Sequence, residues 1–297
     1  MSNELRTEIT NTIIEALASG ELPPWRKRWA CDPNAPGLHT SLSSSKPYRG
    51  INQLILMVAA MKNDFTSKWW ATFNQIKQQG GSVLKGSKAT TVVLYRPIER
   101  TKINDAGKEV DDSFFVMRSF KVFNADQTTL EQFQVSDEVE NGVPFENYEH
   151  ADQLIEDIGA DIRYGGSEAF YNNKEDFVQL PHRERFDSPE AFYETCFHEH
   201  VHYTEHKSRL NWDRKNEGYA MGELIAELGS VLMMAELGLP VTDSLTNHAA
   251  YLKHWMRGMN DDPKFIFKAS SQASKAIDWL LACSKEQAEQ REPAMVS

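Results

Sequence analysis

Residues 196–202 read Cys196-Phe197-His198-Glu199-His200-Val201-His202, inside a run that opens on Ser188-Pro189-Glu190. A serine able to cap the first turn, followed by proline at the first helical position, predicts a helix over 188–205. On a helix, residues four apart share a face. The imidazoles of His198 and His202 can therefore converge on one ion while Glu199, one step round, approaches an open coordination position. A divalent metal there brings the pKa of its water to about 7, and a carboxylate can take the proton as that water attacks a polarised carbonyl. Cys196 points away from this side and is expected in the core. His200 and His206 are expected at the surface or behind the ligands.

Two histidines need a third ligand. In a helical run over 219–237, Glu223-Leu224-Ile225-Ala226-Glu227 puts two carboxylates on one face. This arrangement resembles the gluzincins, and the resemblance implies Glu223 as the metal ligand and Glu227 as the carboxylate that orients a ligand histidine. The extended metzincin pattern fails, because Glu205 stands where it needs glycine and Ser208 where it needs a third histidine. The competing reading is two polar helix faces in solvent. His/His/Glu ligation with an open position suits zinc, with manganese or another divalent ion as the alternative. For an oxyanion-stabilising group, the sequence does not choose among Tyr203, Tyr219 and His182.

Outward from these helices the pattern stays helical over 246–258 and 263–284, with a further helix near 151–158. Short strands are expected at 163–171 and 177–180, around the turn Asn172-Asn173. A mainly helical domain over a small sheet is thus expected for 151–290, followed by a tail at 291–297. Residues 286–297 lack apolar periodicity and are expected to fray. Residues 127–150 are polar and acidic, which places a linker at 131–150.

The first 130 residues read differently. Leu5, Ile9, Ile13 and Leu17 recur every four residues and predict a helix over 3–18. Pro23-Pro24 then forces an extended path, and the Pro-, Gly- and Ser-rich 31–48 reads as a loop. Helices are expected at 51–61 and 73–79, and a hairpin of strands at 90–95 and 114–123 around 104–108. The whole is a two-domain α+β chain.

Charge separates the halves. Residues 1–130 hold 17 Lys/Arg against 12 Asp/Glu, and the rest 15 against 31. Between 23 and 100 there are 12 basic residues and three acidic ones, the footprint of a polyanion partner. Trp25 and Trp29 bracket Arg26-Lys27-Arg28, and Lys68 precedes Trp69-Trp70. Lysine and arginine can follow phosphates while aromatic faces stack bases at roughly 1–3 kcal/mol each, so these residues with Lys46, Tyr48, Arg49 and Lys77 are candidate contacts for single-stranded DNA. Lys85, Lys88 and Arg96 could widen the patch, whereas Trp70 and Phe73 are expected in the core. No sequence-reading motif is present. No apolar run approaches the ~20 residues of a membrane span and no secretion signal opens the chain, so the expected location is the cytoplasm. The three cysteines, far apart, are expected as reduced thiols.

Together, Pro24-Trp25-Arg26-Lys27-Arg28-Trp29, Lys46-Pro47-Tyr48-Arg49-Gly50-Ile51-Asn52, Thr72-Phe73-Asn74-Gln75, Val122-Phe123-Asn124-Ala125-Asp126-Gln127 and the histidine and glutamate helices resemble plasmid antirestriction proteins of the ArdC type. The resemblance implies an N-terminal domain that binds single-stranded DNA, a C-terminal metallopeptidase-like domain, and protection of plasmid DNA entering a new host by conjugation. A host restriction enzyme or other host protein is the candidate protein partner. Two alternatives are a cytosolic metallopeptidase acting on host proteins, and a non-enzymatic inhibitor whose acidic half mimics DNA.

Overall fold

The structure, a computed structural model, describes residues 2–19, 23–26, 37–98, 101–103, 108–111, 114–134, 148–212, 218–242 and 249–291. The first helix, α1 (Ser2–Ala18), buries Ile9, Ile13, Ala16 and Leu17, the face its spacing predicts. After a single 3-10 turn at Pro24–Arg26 come β1 (Thr40–Ser41), β2 (Lys46–Pro47), α2 (Ile51–Asn63), β3 (Trp69–Ala71), α3 (Phe73–Gln78) and β4 (Thr90–Ile98). The short pair β5 (Thr101–Ile103) and β6 (Glu109–Asp111) leads into β7 (Phe114–Asn124). Five strands form one sheet in the order β2-β1-β3-β7-β4, with the long β4–β7 hairpin antiparallel from Thr90↔Val122 to Ile98↔Phe114. At Val93 the outer edge of β4 is capped by a side chain: the Asn52 amide accepts from the Val93 N–H at 2.8 Å and donates to its carbonyl at 2.7 Å. Unpaired edge groups invite pairing with another strand, and the docked amide closes that opening at Val93.

Two of the short motifs prove to be capping boxes. Thr72 Oγ1 accepts from the Gln75 N–H while the Gln75 side chain accepts from the Thr72 N–H. Asn124 and Gln127 repeat the device at the end of β7. Each satisfies helix-end donors that would otherwise lack partners. Trp70 is fully buried, its indole N–H donating to His39 Nδ1 at 2.9 Å. Phe73, expected in the core, is instead 47 % exposed, because it opens α3 on the solvent side with Lys77 over its ring.

The second half runs α4 (Glu149–Ile158), β8 (Asp161–Tyr164), β9 (Phe170–Asn172), β10 (Phe177–Leu180), α5 (Pro189–Tyr203), α6 (Tyr219–Glu236), α7 (Ala249–Asp261) and α8 (Phe265–Arg291). The expected single strand at 163–171 is two strands. Gly165 and Gly166 both take positive φ, at 145° and 68°, and turn the chain out so that β8 pairs parallel and β9 antiparallel to the central β10. The tail expected from 286 is helical to Arg291, and 292–297 lie outside the described residues. Of the expected linker, 135–147 also lie outside them.

The halves share one core. Ile9, Ile13, Trp25, Leu54 and Met57 belong to the same buried cluster as Phe197, Val201, Leu224, Leu228, Ile266 and Ile277. Hydrogen bonds cross as well: Thr10 Oγ1 donates to the Pro263 carbonyl at 2.9 Å, and the Gly50 N–H to Ser274 Oγ at 2.8 Å. Among the described residues, no helix is long and apolar enough to cross a membrane.

Candidate metal centre

Ser188 caps α5 through its hydroxyl, which accepts from the Ala191 N–H at 3.3 Å, and Pro189 takes the first helical position. The helix then lies very close to α6, because Gly229 faces Val201. A methyl group at 229 would come within 2.5 Å of Val201 Cγ2. That approach brings His198 and His202 of α5 against Glu223 of α6. His198 Nε2 lies 3.7 Å from Glu223 Oε2 and His202 Nε2 3.6 Å from Glu223 Oε1. The three donor atoms all lie within 4.8 Å of one another. Such separations are long for hydrogen bonds. Atoms about 2.0–2.2 Å from one tetrahedral ion stand roughly 3.3–3.5 Å apart, so two nitrogens and a carboxylate oxygen at these spacings fit a divalent metal.

Electrostatics agree with that fit. Burial works to raise the Glu223 carboxyl, but the two imidazoles outweigh it and hold the group well below the usual carboxylate range. His202 is pulled down by burial and up by Glu205 and Glu223, with a net rise to about 9. Its Nδ1 stands 2.7 Å from Glu205 Oε1. With Nδ1–H donating to that carboxylate, the ring is fixed so that Nε2 faces Glu223 and the cavity. Glu205, which counted in the sequence only against the metzincin pattern, is thus the carboxylate that orients a histidine.

Glu227, expected in that role, is held from the other side. Arg26 Nε and Nη2 donate to its two oxygens at 2.6 and 2.9 Å, and the Trp25 indole N–H donates at 3.2 Å. The same guanidinium reaches Glu194 Oε1 at 2.5 Å, while Glu194 Oε2 accepts from the Thr242 N–H and hydroxyl. Burial lowers the Arg26 pKa, but Glu227 and Glu194 more than restore it.

Trp25 and Arg26, read from the sequence as DNA contacts, are therefore interior groups, 1 % and 0 % exposed, neutralising buried carboxylates. Lys68 is also corrected: it is buried, its charge beside His39. Of the other candidates, Trp69 is half-buried edge-on to Phe133, Tyr48 is half-buried near Ser41, and Arg49 pairs with Asp278 of α8 at 2.9 Å. Lys46 and Lys77 are exposed. Lys27, Arg28 and Trp29 lie outside the described residues.

Glu199 is 7 % exposed and, among the described residues, makes no hydrogen bond or salt bridge. It lines a cavity of about 840 Å³ together with His198, His202 and Glu223. Its carboxylate opens onto that cavity beside the ligand imidazoles, where a general base for a bound water would have to stand. Tyr219 lines the same cavity, its hydroxyl 3.1 Å from that of Tyr251. Tyr203 is covered by the Arg209 guanidinium and His182 stacks on Tyr164, so neither faces the ligands. Cys196 is in the core as expected, its thiol raised by burial. His200 is not at the surface: it is fully buried, with Nδ1 2.7 Å from the Cys196 carbonyl, and burial pushes its pKa down to about 4.

Two helices presenting His198, His202 and Glu223 beneath a small sheet define a zincin-like metal domain, here packed onto an α+β N-terminal half. Comparison with known proteins agrees for both parts. The zincin-like metallopeptidase family matches residues 149–272, and the N-terminal domain of the anti-restriction factor ArdC matches residues 3–123. Crystal structures of the antirestriction protein ArdC from plasmid R388 superpose with a TM-score of 0.77 at 34 % identity for the metal-free form, covering 95 % of this chain and 98 % of that one. For the Mn(II)-bound form the values are 0.74, 33 %, 94 % and 98 %. An uncharacterised protein, y4eC of Sinorhizobium fredii, is 30 % identical over 94 % of this chain and 92 % of its own length. Two Escherichia coli proteins named DNA primase TraC are each 31 % identical, and this chain spans only 20 % and 28 % of their lengths. The chain belongs to the ArdC family of antirestriction proteins, and its donor set together with the Mn(II)-bound relative points to a divalent metal.

Proposed function

We propose that this protein binds single-stranded DNA through its N-terminal half and protects plasmid DNA entering a bacterial cytoplasm by conjugation, with a metal-dependent peptidase centre in its C-terminal half. The observation that carries the enzymatic part is the convergence of His198, His202 and Glu223 in a cavity that Glu199 also lines. In this reading the first three hold a divalent ion, zinc or manganese, which when bound polarises a carbonyl and acidifies a water. Glu199 takes the water's proton and delivers it to the leaving amine. Glu205 keeps His202 in the tautomer that ligates, and Tyr219 donates to the oxygen that gains charge. The DNA half rests on the ArdC N-terminal domain, on the basic excess between 23 and 100, and on exposed Lys46 and Lys77.

The test is plasmid transfer into a restricting recipient, comparing wild type with Glu199→Gln and with Lys46→Ala/Lys77→Ala. Loss of protection in Glu199→Gln, with metal content and fold retained, is the expected result for hydrolysis. Full protection by Glu199→Gln would make the metal centre structural. Retained single-stranded DNA binding by the double lysine variant would move the DNA contacts elsewhere.

A further inference from the structure

Five carboxylates line the metal cavity, and among the described residues no lysine or arginine does. Three of the five have cationic or imidazole neighbours: Glu194 and Glu227 share Arg26, and Glu223 faces the two histidines. Glu199 lies buried beside the ligands. The fifth, Glu168, is exposed and makes no hydrogen bond or salt bridge among the described residues. It precedes β9, an edge strand of the small sheet, and Phe170 and Tyr219, 40 % and 60 % exposed, line the same cavity. Set against Arg26 and a divalent ion, five carboxylates still leave two negative charges. Such a cavity repels a substrate carboxylate and attracts a cation, which exposed aromatic faces also favour.

We infer that Glu168 is a specificity-determining residue that takes an alkylammonium or guanidinium group of the bound peptide. The inference rests on the peptidase reading for its substrate class, although the charge balance that motivates it does not depend on turnover. The cation has two sources, a lysine or arginine side chain or a free α-amino terminus. One Glu168 carboxylate could hold either.

The experiment uses the metal-loaded full chain and peptide hydroxamates of three kinds: N-acetylated with lysine, N-acetylated with norleucine, and norleucine with a free terminus. Binding is measured by calorimetry at low and high salt, and hydrolysis of the matching peptides is followed in parallel. One cationic probe is expected to bind on the order of tenfold tighter than the neutral one, with the preference weakened by salt. Which probe gains tells side chain from terminus. Glu168→Gln should erase the ratio, and Glu168→Lys should turn it toward a glutamate-bearing probe. Equal binding of all three probes to wild type, no binding of any, or a cationic preference that survives Glu168→Lys overturns the inference. Charge-selective binding without cleavage of any peptide upholds Glu168 and removes the peptidase reading instead.

Discussion

Two regions set a cation beside an aromatic ring, and they use it in opposite ways. At Trp25-Arg26 both side chains are sealed in the core and donate to Glu227 and Glu194, next to the metal ligands, with Arg26 Nη1 turned to the Thr242 carbonyl. At Phe73 and Lys77 the ammonium stands 4.8 Å from the ring centroid in solvent, where each group remains open to another molecule. The difference lies in what faces the cation. Buried carboxylates brought up by α5 and α6 turn one pair into a part of the fold, and the lack of any such partner among the described residues leaves the other as a surface.

The sharpest way to break the comparison is to remove the buried cation. Arg26→Met leaves Glu194 and Glu227 without their shared partner, and breaking such a buried pair costs about 3–5 kcal/mol. Urea unfolding should show that loss, and adding Glu194→Gln and Glu227→Gln should recover much of it. A loss below about 1 kcal/mol would mean that the interior charges are solvated, and the contrast with α3 would collapse.

The next effect comes from pH and concerns interior imidazoles. His200, depressed to about 4, stays neutral in the fold while the unfolded chain takes a proton below about 6.5. Its contribution is whole above 6.5 and lost as pH falls toward 4, roughly 3 kcal/mol in all. His202 acts in the opposite window. Raised to about 9 in the metal-free protein, it stabilises fully below 6.5 and loses that contribution as pH rises through 9. Thermal midpoints of the metal-free chain should therefore fall on both sides of about 6.5. Saturating zinc should flatten the alkaline limb and leave the acid limb in place, since His202 would then ligate rather than titrate.

A smaller effect isolates Glu205. Removing a carboxylate that orients a ligand histidine typically costs 10–100-fold in metal affinity, about 1.4–2.7 kcal/mol. Glu205→Gln should weaken zinc binding by that factor in a competition titration, while Glu227→Gln should act mainly on stability through Arg26. The reverse assignment would restore the role that the gluzincin resemblance gave to Glu227.

What could be read from sequence follows from distance along the chain. The ligand helix is legible because His198, Glu199 and His202 sit within one turn and a serine–proline start marks its beginning. Glu205 was within reach by the same logic, three residues past His202, but only as a second thought after the ligands. Arg26 was not: its partners lie 168 and 201 residues away, and nothing local separates a buried Trp-Arg pair from an exposed one. The split of 163–171 is marked in sequence only by Gly165-Gly166, and the strand pattern on either side masks it. The sequence beyond 285 lacks an apolar stripe, yet Lys285, Glu286, Gln287, Ala288, Glu289, Gln290 and Arg291 are all strong helix formers, and that propensity favours the helix running to Arg291.

The smallest change in stability gives the cleanest test of the surface half of the comparison. Phe73→Ala with Lys77→Ala removes an exposed ring and an exposed ammonium that no carboxylate among the described residues compensates, so unfolding free energy should move by no more than about 0.5 kcal/mol. If this is where DNA strands stack, affinity for an oligothymidine should nonetheless drop by about 1–3 kcal/mol, and the salt dependence of binding should become shallower by roughly one phosphate contact. Arg26→Met should show the reverse, a large loss of stability and, once folded, an unchanged salt slope. A double variant at 73 and 77 that binds DNA as wild type does would leave the exposed pair without that role.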